Sequence, residues 1–357
     1  MTEDFSKIIV AQIDRLLEQQ VTRDILTAAD RGDWPTALWD TMNEAGLPHA
    51  MMTDAAGGLG LAAADAMGLM RRMGYHALPL PLAETMVANY LFVEANGAPL
   101  DGPVSFAPVR ADDAIAIAFS RDGAVLSGVA RHVPWGSVVH RLVVFARDDS
   151  GKGYLARVAR DMMSLDRRRR NVAYELRDDL RLDGIRLPLD AVVEAPVFLQ
   201  ADGLLPYVAA IRAQQMVGGM ERALDHALTY ANERVQFGRP IAKFQAIQHM
   251  LAIAAGHFAA ASAAADAMAE ASRFADDLFT VAVAKSRCGE AAGRVAAACH
   301  QVHGAMGFTH EHALHFTTRR LWSWRDEGGA ESYWQEWIGR KVCALGGDTL
   351  WPAITGR

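Results

Sequence analysis

The sequence has few cysteines, and they lie far apart. The three among its 357 residues are Cys288, Cys299 and Cys343. Their spacing matches no metal-ligand pattern, so no bound metal is expected. A small number of thiols is typical of reduced, intracellular proteins. We therefore predict a cytoplasmic protein without a metal site.

Strong net charge and long apolar runs are also missing. The formal net charge is -6, a mild excess that does not indicate binding to nucleic acid or to a membrane surface. The first twenty residues are rich in charge and contain no apolar run, which argues against a signal peptide. No window approaches the ~18 to 20 consecutive apolar residues of a membrane span. The sequence thus predicts neither a leader nor a membrane span.

The chain is long enough for two or three domains, each with its own core. Residues 1–100 have helical periodicity, and residues 101–196 contain short β-compatible runs separated by Asp-Gly or other glycine turns. Residues 197–357 are helical again and rich in alanine, which favours helix. We predict an α+β protein with an N-terminal helical domain, a small middle β domain and a C-terminal four-helix-type bundle at those boundaries.

The most informative stretch is residues 233–249, which lies between two long helical segments. The residues after it, from Ile247 to Ala254, carry apolar side chains at three- and four-residue spacing. Gly238 suits a left-handed helix cap, and Pro240 suits the first position of a helix. The stretch therefore predicts a helix end, a sharp turn and a new helix.

A second informative stretch is residues 301–312. Gly304 and Gly307 would let the backbone approach a phosphate or a ribose, because neither residue has a Cβ atom. A helix C-terminus produces the same pair of glycines, so the pair is weak evidence by itself.

Both stretches resemble segments of the acyl-CoA dehydrogenase family. The first resembles its pattern E-R-x-x-F-G-x-x-I-x-x-x-Q, and the second resembles Q-x-x-G-G-x-G-F-T-x-E, with Ala305 in place of the second glycine. The resemblance implies FAD between the β domain and the bundle, with its adenine end at a neighbouring subunit. It also implies an acyl-CoA thioester substrate, an electron-transfer flavoprotein as acceptor, and a homo- or hetero-oligomer of two or four chains.

The resemblance implies a set of flavin contacts. A diphosphate needs cations or amide donors, and an aromatic side chain can pack on the dinucleotide. The alternatives are a structural salt bridge for Arg234 and core packing for Phe237 and Trp135. The implied contacts are Arg234, Phe237, Gln245, Gln301, Gly304 and Trp135.

The catalytic base is harder to assign. The family reaction removes an α-proton with a glutamate in an apolar site while hydride leaves the β-carbon. The two family positions for this glutamate fall on Gly328 and Val208, and neither residue is acidic. We predict the adjacent Glu327 as the base, with Glu331 as a weaker candidate. The alternative for both is a solvated acid or an ion pair with Arg325.

The middle domain also departs from the family. Pro134 falls near a position where the family has a threonine beside the flavin ring, and proline has neither a hydroxyl nor an N–H to donate. Two main interpretations follow. One is an FAD-dependent acyl-CoA dehydrogenase that uses Glu327. The other is a catalytically silent partner subunit that completes a neighbour's flavin site. A third is a family flavoenzyme with base-free chemistry.

Overall fold

The computed structural model describes residues 3–270, 275 and 277–355, and the chain begins with helices. Each short helix has a reason to stop: α2, for example, starts at the cap residue Thr22 and ends at Gly32, which adopts a left-handed conformation with φ of 110°. The N-terminal helices are α1 (Glu3–Gln20), α2 (Arg23–Arg31), α3 (Thr36–Glu44), α4 (Ala63–Tyr75) and α5 (Leu82–Glu94).

Strands occupy the middle of the chain. They form one mixed sheet in the order β6-β7-β3-β2-β4-β5-β9, in which β1 also pairs with β4 and β8 with β3. The strands are β1 (Val104–Ala107), β2 (Ile115–Ser120), β3 (Gly123–Pro134), β4 (Arg141–Arg147), β5 (Gly153–Ala159), β6 (Ser164–Arg167), β7 (Arg177–Arg181), β8 (Ile185–Leu187) and β9 (Val192–Glu194).

The rest of the described chain is helical apart from a short hairpin. Helices α7, α8 and α9 are long, and successive members run antiparallel through the bundle. The elements are α6 (Val197–Gln200), α7 (Leu205–Glu233), β10 (Val235–Gln236), β11 (Arg239–Pro240), α8 (Gln245–Ala269), α9 (Leu278–His303), α10 (Leu314–Asp326), α11 (Glu331–Leu345) and α12 (Gly347–Thr355). The predicted α+β class, with helices, then strands, then helices, is confirmed.

The two helical regions share one hydrophobic core, whereas the sheet has a second core of its own. Helices α4 and α7 cross so closely that Gly218 lies against the backbone of Arg71, and Gly74 lies against the backbone of Gln215. A side chain at either glycine would push the helices apart, which explains a glycine in the middle of α7. The predicted limits of the three domains stay a prediction, because the helical parts are packed as one body.

Strand β4 connects the two cores. Its residues Leu142 and Val144 point into the core of the sheet, and Val143 and Phe145 point into the helical core. Successive side chains of a strand point to opposite faces, and a strand buried on both faces is apolar throughout. The sheet is therefore fixed against the helices by β4, and the space beside this contact forms the candidate site.

Helix α8 is apolar but largely exposed. By length and composition it is able to cross a membrane, and only 17% of its most apolar window is buried within the chain. The predicted absence of a membrane span stays a prediction, because a helix packed in a bundle can have the same length and composition. An exposed, alanine-rich helix of this kind also suits contact with another protein chain.

Candidate functional site

A cavity of about 460 Å³ lies where the sheet meets the bundle. We call it the junction pocket. Most of its wall is apolar, and charged side chains stand at its edges. It is lined by Val109, Arg110, Ala111, Asp112, His132, Pro134, Leu205, Val208, Asp326, Glu327, Gly328, Gly329, Ala330 and Tyr333.

Both family positions for the base line the junction pocket. Val208 is a residue of α7, and Gly328 follows α10 with φ of 68°. A Cβ atom at Gly328 would lie 2.7 to 2.9 Å from the backbone of Val208 and Ala209. The chain therefore has no room for a side chain at Gly328, and the side chain at the other position is uncharged.

Glu327 lines the same pocket, but its carboxylate is fully engaged. Arg177 donates from Nε to Oε1 at 2.7 Å and from Nη2 to Oε2 at 3.0 Å. Arg212 donates from Nε to Oε2 at 2.7 Å, and the amide of Asn171 donates to Oε1 at 3.0 Å. Each carboxylate oxygen thus accepts two hydrogen bonds, and at least one donor of each pair is a guanidinium.

These contacts decide the basicity of Glu327. Burial by itself raises the pKa of a carboxyl group, but the charges of Arg177 and Arg212 outweigh burial and lower the pKa of Glu327 to about 2. A base for α-proton removal needs a pKa raised toward 6 or 7. The pKa of Glu327 is therefore shifted away from the range that a base needs. This geometry favours an ion-paired structural role for Glu327.

The network around Glu327 extends into all three parts of the chain. Its charges alternate in sign, and every member except Glu327 is at most 5% exposed. The remaining ion pairs are Arg212–Glu84 at 2.6 Å, Arg177–Glu175 at 2.8 Å and Arg320–Glu175 at 3.0 Å. The pairs connect α5, α7, β7 and α10, so this buried network fixes the walls of the junction pocket.

The second acid considered as a base, Glu331, is also paired. Its carboxylate accepts a hydrogen bond from Arg325 at 2.6 Å, which is the alternative that the sequence left open. Lys285 is buried beside it and donates to the carbonyl oxygens of Arg325 and Gly329, both at 2.7 Å. Lys285 therefore fixes the loop that follows α10. The carboxylates of Glu327 and Glu331 are both paired.

Trp135 lies away from the junction pocket. Its side chain is 9% exposed, belongs to the core of the sheet and meets the ring of Trp34 edge to face at 6.4 Å. The position of Trp135 agrees with its alternative interpretation, core packing, and its contact with a flavin stays a prediction. Pro134 does line the pocket, and it offers no donor there.

The other predicted contacts meet at one end of the bundle. Because α7, α8 and α9 run antiparallel, the last turn of α7, the first turn of α8 and the last turn of α9 lie side by side. The stacked rings of Tyr230 and His303, 4.6 Å apart, mark this contact. We call it the bundle-end surface. Its predicted members are Arg234, Phe237, Gln245, Gln301 and Gly304, all of them exposed.

The connection between α7 and α8 is a hairpin. Phe237 and Gly238 form its turn with φ of 52° and 78°, the combination of a two-residue turn with both residues left-handed. The predicted left-handed Gly238 is confirmed, but α8 begins at Gln245 and not at Pro240. Phe237 is 91% exposed. A bulky residue is strained at positive φ, and such strain is concentrated at functional sites.

Several polar groups of the bundle-end surface are free. Arg234 has no ion pair within the residues that the structure describes, so its predicted alternative, a salt bridge, is not formed. A Cβ atom added at Gly304, where φ is 58°, would meet no described atom within 4 Å. Ala305 has no positive φ, so the lost glycine carries no strain. The bundle-end surface therefore offers the guanidinium of Arg234, the amides of Gln245 and Gln301, the exposed backbone at Gly304 and the ring of Phe237.

The two regions fit a flavin dinucleotide unequally. The bundle-end surface has the cation and amide donors that a diphosphate requires. The junction pocket offers apolar wall, Pro134 without an N–H, and a carboxylate that is already paired. Within residues 3–270, 275 and 277–355, no group of three His, Cys, Asp or Glu is arranged to hold a metal ion.

Sequence reasoning did not find the partners of Glu327. Arg177 and Arg212 lie 150 and 115 residues away from it in the chain. One signal was present, because Arg212 interrupts the apolar residues Ile211 and Ala213 in a helix, and a buried arginine almost always has a partner. The sequence could not name that partner.

The comparisons with known proteins agree with the fold. The family model described as "Acyl-CoA dehydrogenase, C-terminal domain" matches residues 201–342, and the one described as "Acyl-CoA dehydrogenase, N-terminal domain" matches residues 3–97. A relative from Mycobacterium tuberculosis, "Acyl-CoA dehydrogenase IpdE2", is 27% identical over 298 residues, which cover 82% of each chain. The matches therefore include both helical regions.

Two solved structures have the same fold. A chain of the ChsE4-ChsE5 complex from Mycobacterium tuberculosis superimposes with a TM-score of 0.85 at 22% identity, over 96% of this chain and 98% of that chain. A chain of the Tcur3481-Tcur3483 steroid ACAD G363A variant gives a TM-score of 0.84, also at 22% identity and with the same coverage.

Proposed function

Because this chain belongs to the acyl-CoA dehydrogenase family, we propose that it is a non-catalytic subunit of a hetero-oligomeric acyl-CoA dehydrogenase. Its bundle-end surface completes the FAD site of an unlike partner chain. At its own junction pocket neither family position for the base carries an acid, and the adjacent Glu327 is held in ion pairs. The substrate of the assembly is an acyl-CoA thioester, and the electron acceptor is an electron-transfer flavoprotein.

The single observation that supports this proposal most is the pairing of Glu327 with Arg177 and Arg212. A carboxylate with a pKa of about 2 is about 4 to 5 pKa units weaker as a base than one tuned to the working pH. Val208 and Gly328, the other two positions for a base, supply no acid. In this proposal the partner chain performs proton removal.

The bundle-end surface carries the part of the function that remains. Arg234 and the amides of Gln245 and Gln301 bind the negatively charged end of the dinucleotide, and the exposed backbone at Gly304 lets it approach closely. Phe237 covers one face of it. When bound, FAD supplies the hydride acceptor for the reaction, and this chain contributes binding and the exclusion of water.

An unlike partner is supported by the exposed face of α8. An apolar helix that is mostly unburied within its own chain indicates a contact with another protein. Two structures with the same fold are each named for a pair of proteins, ChsE4-ChsE5 and Tcur3481-Tcur3483. We infer an assembly of the same kind, with two or four chains.

Flavin absorbance tests the proposal. The chain is purified alone, and it is also co-expressed with a second family chain that has a glutamate at one of the two family positions. We expect no bound flavin in the first preparation and flavin that an acyl-CoA thioester bleaches in the second. A full complement of flavin in the chain alone, bleached by a thioester, would contradict the proposal.

A second candidate function is an active dehydrogenase with Glu327 as its base, because Glu327 does line the junction pocket. This function requires that substrate binding separates Glu327 from Arg177 and Arg212. Its signature would be bleaching by the isolated chain that is lost in Glu327→Gln while flavin stays bound.

A further inference from the structure

A separate cavity of about 140 Å³ lies between the N-terminal helices and the bundle. We call it the interdomain cavity. Helices α1 and α2 and the end of α4 form one side, and α7 and α10 form the other. It is lined by Glu18, Val21, Arg23, Leu26, Tyr75, His76, Ala77, Arg222, His226, Ala313, Phe316 and Thr317.

Two arginines of the cavity have no carboxylate partner in the described part of the chain. Arg23 and Arg222 line the cavity, and neither forms an ion pair with a carboxylate of the described residues. Nearby arginines differ in this respect: Arg72 pairs with Asp14 at 2.6 Å, and Arg319 pairs with Asp30. A guanidinium that lines a cavity without a counter-ion is a binding group for an anion.

The arginines of the cavity are held in place by neutral contacts. Arg222 donates to the hydroxyl of Tyr75 at 3.2 Å and lies over the ring of that residue. Arg23 donates to the carbonyl oxygen of His310 at 2.9 Å. These contacts orient both guanidinium groups without neutralising them. Glu18 lines the cavity and is exposed. Two further carboxylates lie behind lining residues: Asp225 accepts from the hydroxyl of Tyr75 at 2.8 Å, and Asp14 pairs with His76 at 2.8 Å.

Further donors point to the chemistry of the ligand. Thr317 is 3% exposed, and its hydroxyl has no hydrogen-bond partner among the residues that the structure describes. A ligand oxygen in the cavity could accept a hydrogen bond from this hydroxyl. His226 lines the cavity beside Arg222 and adds a ring nitrogen.

The size of the cavity limits the ligand. A water molecule takes about 30 Å³ of liquid, so the space accepts a small ion with a few waters and excludes a dinucleotide or coenzyme A. Two guanidinium groups would repel a metal cation. We propose that the interdomain cavity binds a small tetrahedral oxyanion of the phosphate class, which links the N-terminal helices to the bundle. This inference does not depend on the proposed function.

Thermal unfolding of the full chain with inorganic phosphate tests the inference, with sodium chloride at equal ionic strength as the reference. We expect phosphate to raise the midpoint temperature of the wild type. Arg222→Gln should weaken phosphate binding by about tenfold or more, because it removes a charged donor. Arg121→Gln, an equal change of charge on an exposed turn far from the cavity, should bind phosphate like the wild type.

Thr317→Val and Arg23→Gln provide independent variants in case Arg222→Gln does not fold. Each should weaken phosphate binding while the fold in chloride is kept. Sulfate should act as phosphate does, because the two ions share their shape. The inference would be overturned by an equal shift in phosphate and chloride, by undiminished binding in Thr317→Val and Arg23→Gln, or by acetate binding more tightly than phosphate.

Discussion

The junction pocket and the bundle-end surface belong to the same fold, but they differ in how far their charged side chains are paired within the chain. Around the pocket, Arg212 is buried and Glu327 is partly buried, and each has more than one partner. On the bundle-end surface, Arg234 is exposed and has no ion pair among the described residues. Only an unpaired group can bind a ligand at little cost. This difference is the basis of the proposal that the chain binds flavin at the bundle end and leaves proton removal to a partner.

The charged residues of the two regions should also differ in how much they contribute to the stability of the fold. Moving ions out of water costs several kcal/mol per ion, and attraction offsets this cost only when the geometry is good. The network at the pocket meets this condition because its carboxylates and guanidinium groups alternate. Removal of one member should therefore damage the fold, whereas removal of a bundle-end residue should damage only binding.

The largest expected effect comes from Arg212→Met. This change leaves Glu84 buried without its cation, so the free energy of unfolding should fall by about 3 to 5 kcal/mol. Arg340→Met breaks an exposed pair with Glu336, and this control should cost at most about 1 kcal/mol. Urea unfolding measures both. Equal losses of unfolding free energy in the two variants would contradict the structural role of the buried network.

A pH effect comes next. The pKa of Glu327 is about 2 in the folded chain and 4.5 ordinarily, so its ion pairs stabilise the fold above about pH 4.5 and lose that contribution as the pH falls toward 2. The shift is equivalent to about 3 kcal/mol. The stability difference between the wild type and Glu327→Gln should shrink over this range. A constant difference would contradict the ion-paired state.

Arg234→Ala should have the opposite profile to Arg212→Met. The unfolding midpoint should stay unchanged because the side chain is exposed. The flavin affinity of the complex with the partner chain should fall about tenfold, because a charge-assisted contact is lost. Arg121→Ala serves as the control of equal charge change. Unchanged flavin affinity in Arg234→Ala would remove this residue from the site.

The smallest effect is expected for Phe237→Asn. Asparagine tolerates the left-handed backbone better than phenylalanine does, so the isolated chain should keep its stability or gain up to about 1 kcal/mol. The flavin affinity of the complex should fall a few-fold. A loss of stability in the isolated chain would show that the ring has a structural role.

The sequence predicted the features that depend on residues close together in the chain. The end of α7 and the left-handed Gly238 follow from local patterns, and the fold class follows from the succession of such patterns along the chain. The state of Glu327 depends on Arg177, from a distant strand, and on Arg212, from a distant helix. Such contacts arise only when the sheet docks on the bundle, so the predicted base could not be tested before the structure was known.

The rate of flavin bleaching by an acyl-CoA thioester, measured per bound flavin in the complex with the partner chain, tests the central claim most directly. The measurement compares the wild type with Glu327→Gln at a temperature at which both are folded. We predict rates that agree within a factor of about two, since Glu327 takes no proton. A loss of about a hundredfold or more, the size expected when a general base is removed, would contradict the account.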